Sequence, residues 1–263
     1  MREVWQSGES YERYIGRWSR HVARKFVSEL SIAAGSAWLD VGCGSGALTA
    51  AILALTKPER VIAFDRSTEF VAHSRQFLSD GRAMFVVGDA VRLPFADARA
   101  DAVVSALVLN FISQPELALR EMLRCVRSGG VVATYLWDYH EGMQAIRLFW
   151  DAAIALNPRA VELDEAKRFP LCQPAALEQL FVSAGLAEVD ISAIAIPTSF
   201  RDFEDLWSPF LGGQGPAPTY TMSLAEQERI KLRERFRQMA PISADGSIHL
   251  SARAWVARGV RRN

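Results

Sequence analysis

Between Ala37 and Trp137, short apolar runs and helix-patterned segments take turns along the chain, and that alternation limits the fold more than any other feature. The apolar runs fall at 37–42, 60–65, 83–88, 100–107 and 129–137, each rich in Val, Ile, Ala or Leu with little polar alternation. Strands covered on both faces read this way, because neither side of the pleat meets water. The stretches between, Ala47 to Leu55, Ser67 to Leu78 and Pro115 to Val126, place apolar residues three and four apart, the spacing of a helix with one buried stripe. Strand and helix in succession predict an α/β chain on a mostly parallel sheet with helices on both faces.

After Trp137 the rhythm changes. Residues 142–157 read as an amphipathic helix outside the repeat. Pro174 suits a first helical position and Gly185 the residue just past the end, with a strand following. Residues 200–222, rich in Gly, Pro and aromatics, predict a loop with a short helix, and Ser223 with Glu226 predicts a capping box for the next helix. Residues 247–259 alternate as a last, antiparallel strand, which brings the expected sheet to seven strands. The expectation is a single domain over 1–263, its core at 30–139, 186–199 and 246–260, with inserted lid and cap segments at 1–28, 140–185 and 200–245.

Thirty basic and thirty acidic residues cancel, so the chain lacks the positive excess that draws a protein to nucleic acid or anionic lipid. A small-molecule substrate is expected, with no nucleic acid and no membrane partner. Cys43, Cys125 and Cys172 are far apart and form no C-x-x-C pair, and His21, His73, His140 and His249 have no metal-binding spacing, so neither a disulfide framework nor a metal site is expected. The first ten residues lack the apolar core of a signal peptide, and no apolar run is long enough to cross a bilayer. A cytoplasmic protein is the expectation.

Trp-Leu-Asp-Val-Gly-Cys-Gly-Ser-Gly-Ala-Leu-Thr, at 38–49, closes the first strand and opens the first helix. Ligands of open α/β sheets bind there, outside the carboxyl ends of the strands, and glycines let the backbone take positive φ and approach the ligand closely. A dinucleotide site would want G-x-G-x-x-G and a pyrophosphate on the helix N-terminus. Here Gly42, Gly44 and Gly46 are spaced G-x-G-x-G, and Asp40 puts a negative charge where a pyrophosphate would lie. The ligand suggested is nucleoside-like and carries an ammonium group.

Leu39 to Gly46 resembles the first motif of the class I S-adenosylmethionine-dependent methyltransferases, which have a Rossmann-like sheet. The resemblance continues in order through Val61 to Ser67, Val86 to Phe95 and Ala118 to Tyr135, and the tract at 93–112 is similar to the small-molecule branch that includes quinone-biosynthesis C-methyltransferases. Three positions depart from that pattern: Ala100-Asp101 replaces Phe-Asp, Ser128 replaces a proline, and Asn110 stands where a histidine is often found.

The resemblance implies S-adenosylmethionine as cofactor and gives roles to particular residues. Asp40, Gly42, Gly44 and the backbone N–H of Cys43 would form the loop site, and Asp65 would hold both ribose hydroxyls, with Arg66 and Ser67 beside it. Asp89 would accept from the adenine amino group, the backbone N–H of Ala90 would meet a ring nitrogen, and Ala106 and Leu107 would complete the site. The leader at 10–26 resembles a segment that closes over the cofactor, with Tyr11, Tyr14 and Arg17 on the methionine portion, Arg17 pairing with its carboxylate.

A sulfonium methyl is already electrophilic, so alignment and exclusion of water matter more than a nucleophilic triad. If the acceptor needs a base, Asp138, His140 and Asn110 are candidates by location only. Trp5, Tyr139, Phe149, Trp150, Trp207, Phe210 and Tyr220 fall outside the core sheet, and an aromatic cap suits a flat or apolar acceptor. Two other readings stay open: a cofactor-binding sensor or scaffold without catalysis, and a nicotinamide-dependent oxidoreductase.

Overall fold

The computed structural model describes residues 15–213 and 215–262. Trp5, Tyr11 and Tyr14 lie outside the described residues. In chain order the elements are α1 (Arg17–Leu30), β1 (Ala37–Val41), α2 (Ala47–Leu55), β2 (Arg60–Asp65), α3 (Thr68–Phe77), β3 (Ala83–Val87) and β4 (Ala100–Ala106). Then come α4 (Pro115–Cys125), β5 (Val126–Trp137), α5 (Gln144–Leu156), α6 (Glu165–Arg168), α7 (Pro174–Ser183), β6 (Ala187–Phe200), α8 (Phe203–Trp207), α9 (Pro216–Ser223), α10 (Glu226–Met239) and β7 (Ile248–Val260).

The strands form one seven-stranded sheet in the order β3-β2-β1-β4-β5-β7-β6. The first five pair in parallel, with Asp40 level with Ala63 of β2 and Val104 of β4. β7 runs antiparallel to β5: Gly129 and Gly130 exchange backbone hydrogen bonds with Arg261, while Asp138, nearer the other end, donates to Arg253. All five residues of β1 are buried, as expected for the middle of a sheet covered on both faces. The expected seven-stranded, mostly parallel α/β fold is the observed one.

The chain divides into two compact units. The sheet unit comprises Ser19–Leu136, Leu171–Ile194 and Ala254–Asn263. Within it α1 buries Val22, Ala23, Phe26, Val27 and Leu30, the face its apolar spacing dictates, and Phe26 meets Tyr135 of β5 edge-on at 4.9 Å. Asp101 fixes the edge of β4 to its neighbours, accepting from the Ala37 N–H at 2.8 Å and from Arg127 Nε at 2.5 Å. Arg261 donates to the carbonyls of Leu123, Arg124 and Val126, groups that the end of α4 leaves without helical partners.

Of the described residues, the second unit comprises 15–18, Trp137–Pro170 and Ala195–Arg253, so β6 and β7 each contribute residues to both units. Its boundaries differ from the expected cap segments: Ser19–Leu30 and Leu171–Ser183, including α7, belong with the sheet. Phe149 stacks on Phe210 with centroids 4.5 Å apart, and Trp150, Tyr220 and Phe236 close around them. These rings are buried and pack on one another as a core; from the sequence, pocket lining and cap core are both open for Phe149, Trp150, Phe210 and Tyr220. Residues 200–222 fold into α8, a 3-10 turn and α9, and α10 starts at Glu226. The Ser223 hydroxyl donates back to the Tyr220 carbonyl at 2.7 Å, so the capping box expected at Ser223 and Glu226 does not form; Ala225 precedes the helix without a side-chain acceptor, and Glu228 takes its N–H.

Candidate active site

The glycine loop is held by the strand beside it. Phe64, near the end of β2, accepts from the N–H groups of Gly42 and Cys43 at 2.8 and 3.0 Å. Asp65 Oδ2 accepts from Gly44 N–H at 3.0 Å, and its Oδ1 accepts from Ser67 N–H at 2.9 Å. Ser67 in turn caps α3 through Phe70 N–H. Gly42, Gly44 and Gly46 all have positive φ, but for different surroundings. A Cβ at Gly42 would lie 2.6 Å from a methyl of Val108, and one at Gly46 would lie 2.7 Å from Leu78. At Gly44, chain neighbours aside, no atom of the described residues lies within 4 Å of that position. The loop is packed closely at its two flanks and open at its middle residue.

Cys43 differs from its expected part. Its N–H is spent on Phe64, and its side chain packs with Ala63, Val71 and Phe85, where burial pushes the thiol pKa far above its ordinary value. It is a small core residue.

Asp40 is wholly buried under the loop. Its Oδ2 accepts from the Thr49 hydroxyl at 2.6 Å, while Oδ1 has no hydrogen-bond partner among the described residues. Desolvation pushes its pKa up to about 7, opposed by the Thr49 hydrogen bond.

Asp65 and Asp89 stand at the same end of neighbouring strands, since β2 and β3 pair with Asp65 level with Val87. Asp89 is exposed; its carboxylate accepts from Val91 N–H at 3.1 Å and its carbonyl from Arg92 N–H, which sets Ala90 at a tight turn. Arg66 is exposed next to Asp65. Ala106 ends β4, and Leu107 follows with φ 59°, a left-handed conformation that costs a non-glycine residue about 1 kcal/mol or more. Its N–H is tied to the Tyr135 carbonyl at 2.9 Å. The strained step delivers Val108 against Gly42, then a 3-10 turn, Leu109–Phe111, containing Asn110, whose Nδ2 is buried without a partner among the described residues.

Three candidates lie in the second unit. Arg17, expected to pair with a cofactor carboxylate, pairs with Asp205 at 3.3 Å and rests against the rings of Trp18 and Phe200. Asp205 takes only Nη1; Nε and Nη2 are buried without a hydrogen-bond partner among the described residues. Asp138 is also corrected: Oδ2 accepts from Arg253 Nε at 2.7 Å and Nη2 at 2.5 Å, and Oδ1 accepts from the N–H groups of His140 and Glu141. Both of its oxygens are thus engaged in holding Arg253 and the turn at His140 and Glu141. His140 enters this cluster through its backbone N–H.

A family model described as a methyltransferase domain matches residues 39–134, from the glycine loop through most of β5. The demethylmenaquinone methyltransferase of Roseiflexus castenholzii is 32% identical over 183 residues, covering 62% of this chain and 75% of that protein. The chain belongs to the class I S-adenosylmethionine-dependent methyltransferases. Of some other curated relatives this methyltransferase spans less than half, 43% in one case. Among solved structures, a putative methyltransferase from Bacillus halodurans matches with a TM-score of 0.61 at 15% identity, covering 91% of this chain and 99% of that one. The phosphoethanolamine N-methyltransferase 2 of Haemonchus contortus, in complex with phosphomonomethylethanolamine and S-adenosylhomocysteine, also matches with a TM-score of 0.61 at 15% identity, covering 97% and 57%. At such identity these two likenesses concern the fold.

Some supports of the methyltransferase site carry no local sequence signal. Thr49 reaches Asp40 from α2, Ser74 donates its hydroxyl to the Gly44 carbonyl at 2.9 Å from α3, and Val108 covers Gly42. A threonine nine positions from an acid marks nothing until the strand and helix pack.

Proposed function

We propose that this methyltransferase moves a methyl group from S-adenosylmethionine to a small, apolar or aromatic acceptor by direct in-line displacement. The observation that carries the reading is the opening at Gly44 among the described residues, bordered by the carboxylate of Asp65, with the buried Asp40 near the end of the strand that leads into the loop. Space at the middle glycine lets a ligand meet the backbone. Asp65 retains lone pairs for two ribose hydroxyls, and Asp89, exposed at the next strand end, suits an adenine amino group with Ala90 N–H beside it. Ala106, Leu107 and Ser67 border the same strand ends, and the buried charge of Asp40 favours a ligand with an ammonium group. The bound cofactor supplies an electrophilic methyl.

Neutral net charge and quinone-methyltransferase relatives support a small-molecule acceptor over nucleic acid. No helix among the described residues is long and apolar enough to cross a membrane, and the three buried cysteines form no disulfide, which suits a reducing compartment such as the cytosol. Calorimetry with S-adenosylhomocysteine and with NADH tests the cofactor: tight NADH binding without S-adenosylhomocysteine binding would overturn the reading. S-adenosylhomocysteine formation against hydroquinones, phenols and small amines then tests transfer, and binding without turnover on any acceptor would favour a sensor or scaffold.

A further inference from the structure

We propose that Asp40 makes this site responsive to the charge of its ligand: the buried carboxyl releases its proton when a ligand bearing an ammonium group loads, and regains one when that ligand leaves. The inference rests on the cofactor reading above and adds to it a proton exchanged at each loading event.

Asp40 sits one residue before the end of β1 and is wholly buried. The hydroxyl and N–H of Thr49, from α2, favour its ionised form. Against it stand the desolvation of the carboxyl, the empty hydrogen-bonding capacity of Oδ1 and the negative charge of Asp65 at the end of β2. Among the described residues, no cationic side chain is one of the groups acting on it. Burial with so little compensation pushes the pKa up to about 7, so near neutral pH the carboxyl is partly protonated.

An ammonium brought to the glycine loop supplies the missing positive charge. The carboxyl O–H bond then breaks, its electron pair stays on Asp40 and the proton passes to solvent; no other bond changes. A ligand with the same nucleoside but no ammonium gives no such compensation and leaves the proton in place.

Titration calorimetry in buffers of different ionisation enthalpy counts the protons exchanged. With S-adenosylhomocysteine, about one proton should be released per site at about pH 6, falling toward none by about pH 8.5, where Asp40 is already ionised. 5′-Methylthioadenosine, which lacks the amino-acid portion, should release none. Asp40→Asn should abolish the pH-dependent release, and subtracting its count removes any contribution of the ligand's own amino group. Thr49→Val, which takes away the hydrogen bond favouring the carboxylate, should carry the release to higher pH and serves if Asp40→Asn does not fold. A ligand-free readout is the fall in wild-type stability between about pH 4 and 7, which Asp40→Asn should flatten. Equal proton counts for wild type and Asp40→Asn, or for the two ligands, would overturn the proposal while leaving the cofactor reading intact. No binding of S-adenosylhomocysteine would overturn the cofactor reading, and the proton exchange with it.

Discussion

The backbone N–H of Gly44 donates to the carboxylate of Asp65 at 3.0 Å, joining the middle of the glycine loop to the end of the neighbouring strand. One side chain therefore shapes the loop and presents the acceptor proposed for the ribose. Asp65→Ala is expected to weaken S-adenosylhomocysteine binding by roughly 2 to 4 kcal/mol, since hydrogen bonds to a charged group and the anchor of the loop are lost together. Calorimetry on a variant with unchanged circular dichroism checks this, and an unaltered Kd would remove Asp65 from the site.

The flanking and middle glycines should respond differently to alanine. At Gly42 a Cβ overlaps Val108, so Gly42→Ala adds a clash to the cost of a left-handed residue, and a loss of about 2 kcal/mol or more is expected. Val108→Ala should restore part of it. Gly44→Ala meets no neighbour, so its cost should stay near 1 kcal/mol of backbone strain while ligand affinity falls more sharply. Urea unfolding and ligand titration of the three variants compare these outcomes.

Glu165 gives a second pH dependence, in the second unit. It is buried, bonded to the indole N–H of Trp150, and its Oε1 has no partner among the described residues; burial pushes its pKa from 4.5 up to about 7. The folded state then binds more protons than the unfolded state between those values. Its contribution is complete below about pH 4.5 and is lost as pH rises through about 7, with a slope near 1.4 kcal/mol per pH unit inside the window. Glu165→Gln should make unfolding midpoints flatter over that range and raise stability at pH 8. An unchanged pH profile would show that Glu165 stays ionised.

For Asp138 the structure predicts a stability effect. Asp138→Asn leaves Arg253 facing a neutral amide, and because only the Asp138 end of the pair is fully buried, a loss of about 1 to 2 kcal/mol is expected. The pH profile of methyl transfer by the surviving folded enzyme should keep its shape. A lost ionisation in that profile would return Asp138 to the list of bases.

The sequence determined the sheet and the position of the candidate site because both depend on local pattern. Continuous apolar runs fix strands covered on two faces, amphipathic spacing fixes the helices between them, and glycines after Val41 mark the only kind of turn that takes three positive φ values so closely spaced. Asp40, Asp65 and Asp89 could be named because each follows a strand or ends one. Their bonding could not. Whether Asp40 is ionised depends on Thr49 and on burial, the destination of the Cys43 N–H depends on Phe64, and the partners of Arg17 and Asp138 come from segments 188 and 115 positions away. The cap aromatics show the same limit: Phe149 and Phe210 look alike as pocket lining or as core until they stack at 4.5 Å. Periodicity is a property of neighbours along the chain, whereas desolvation and hydrogen-bond partnership are set by groups that only packing brings together.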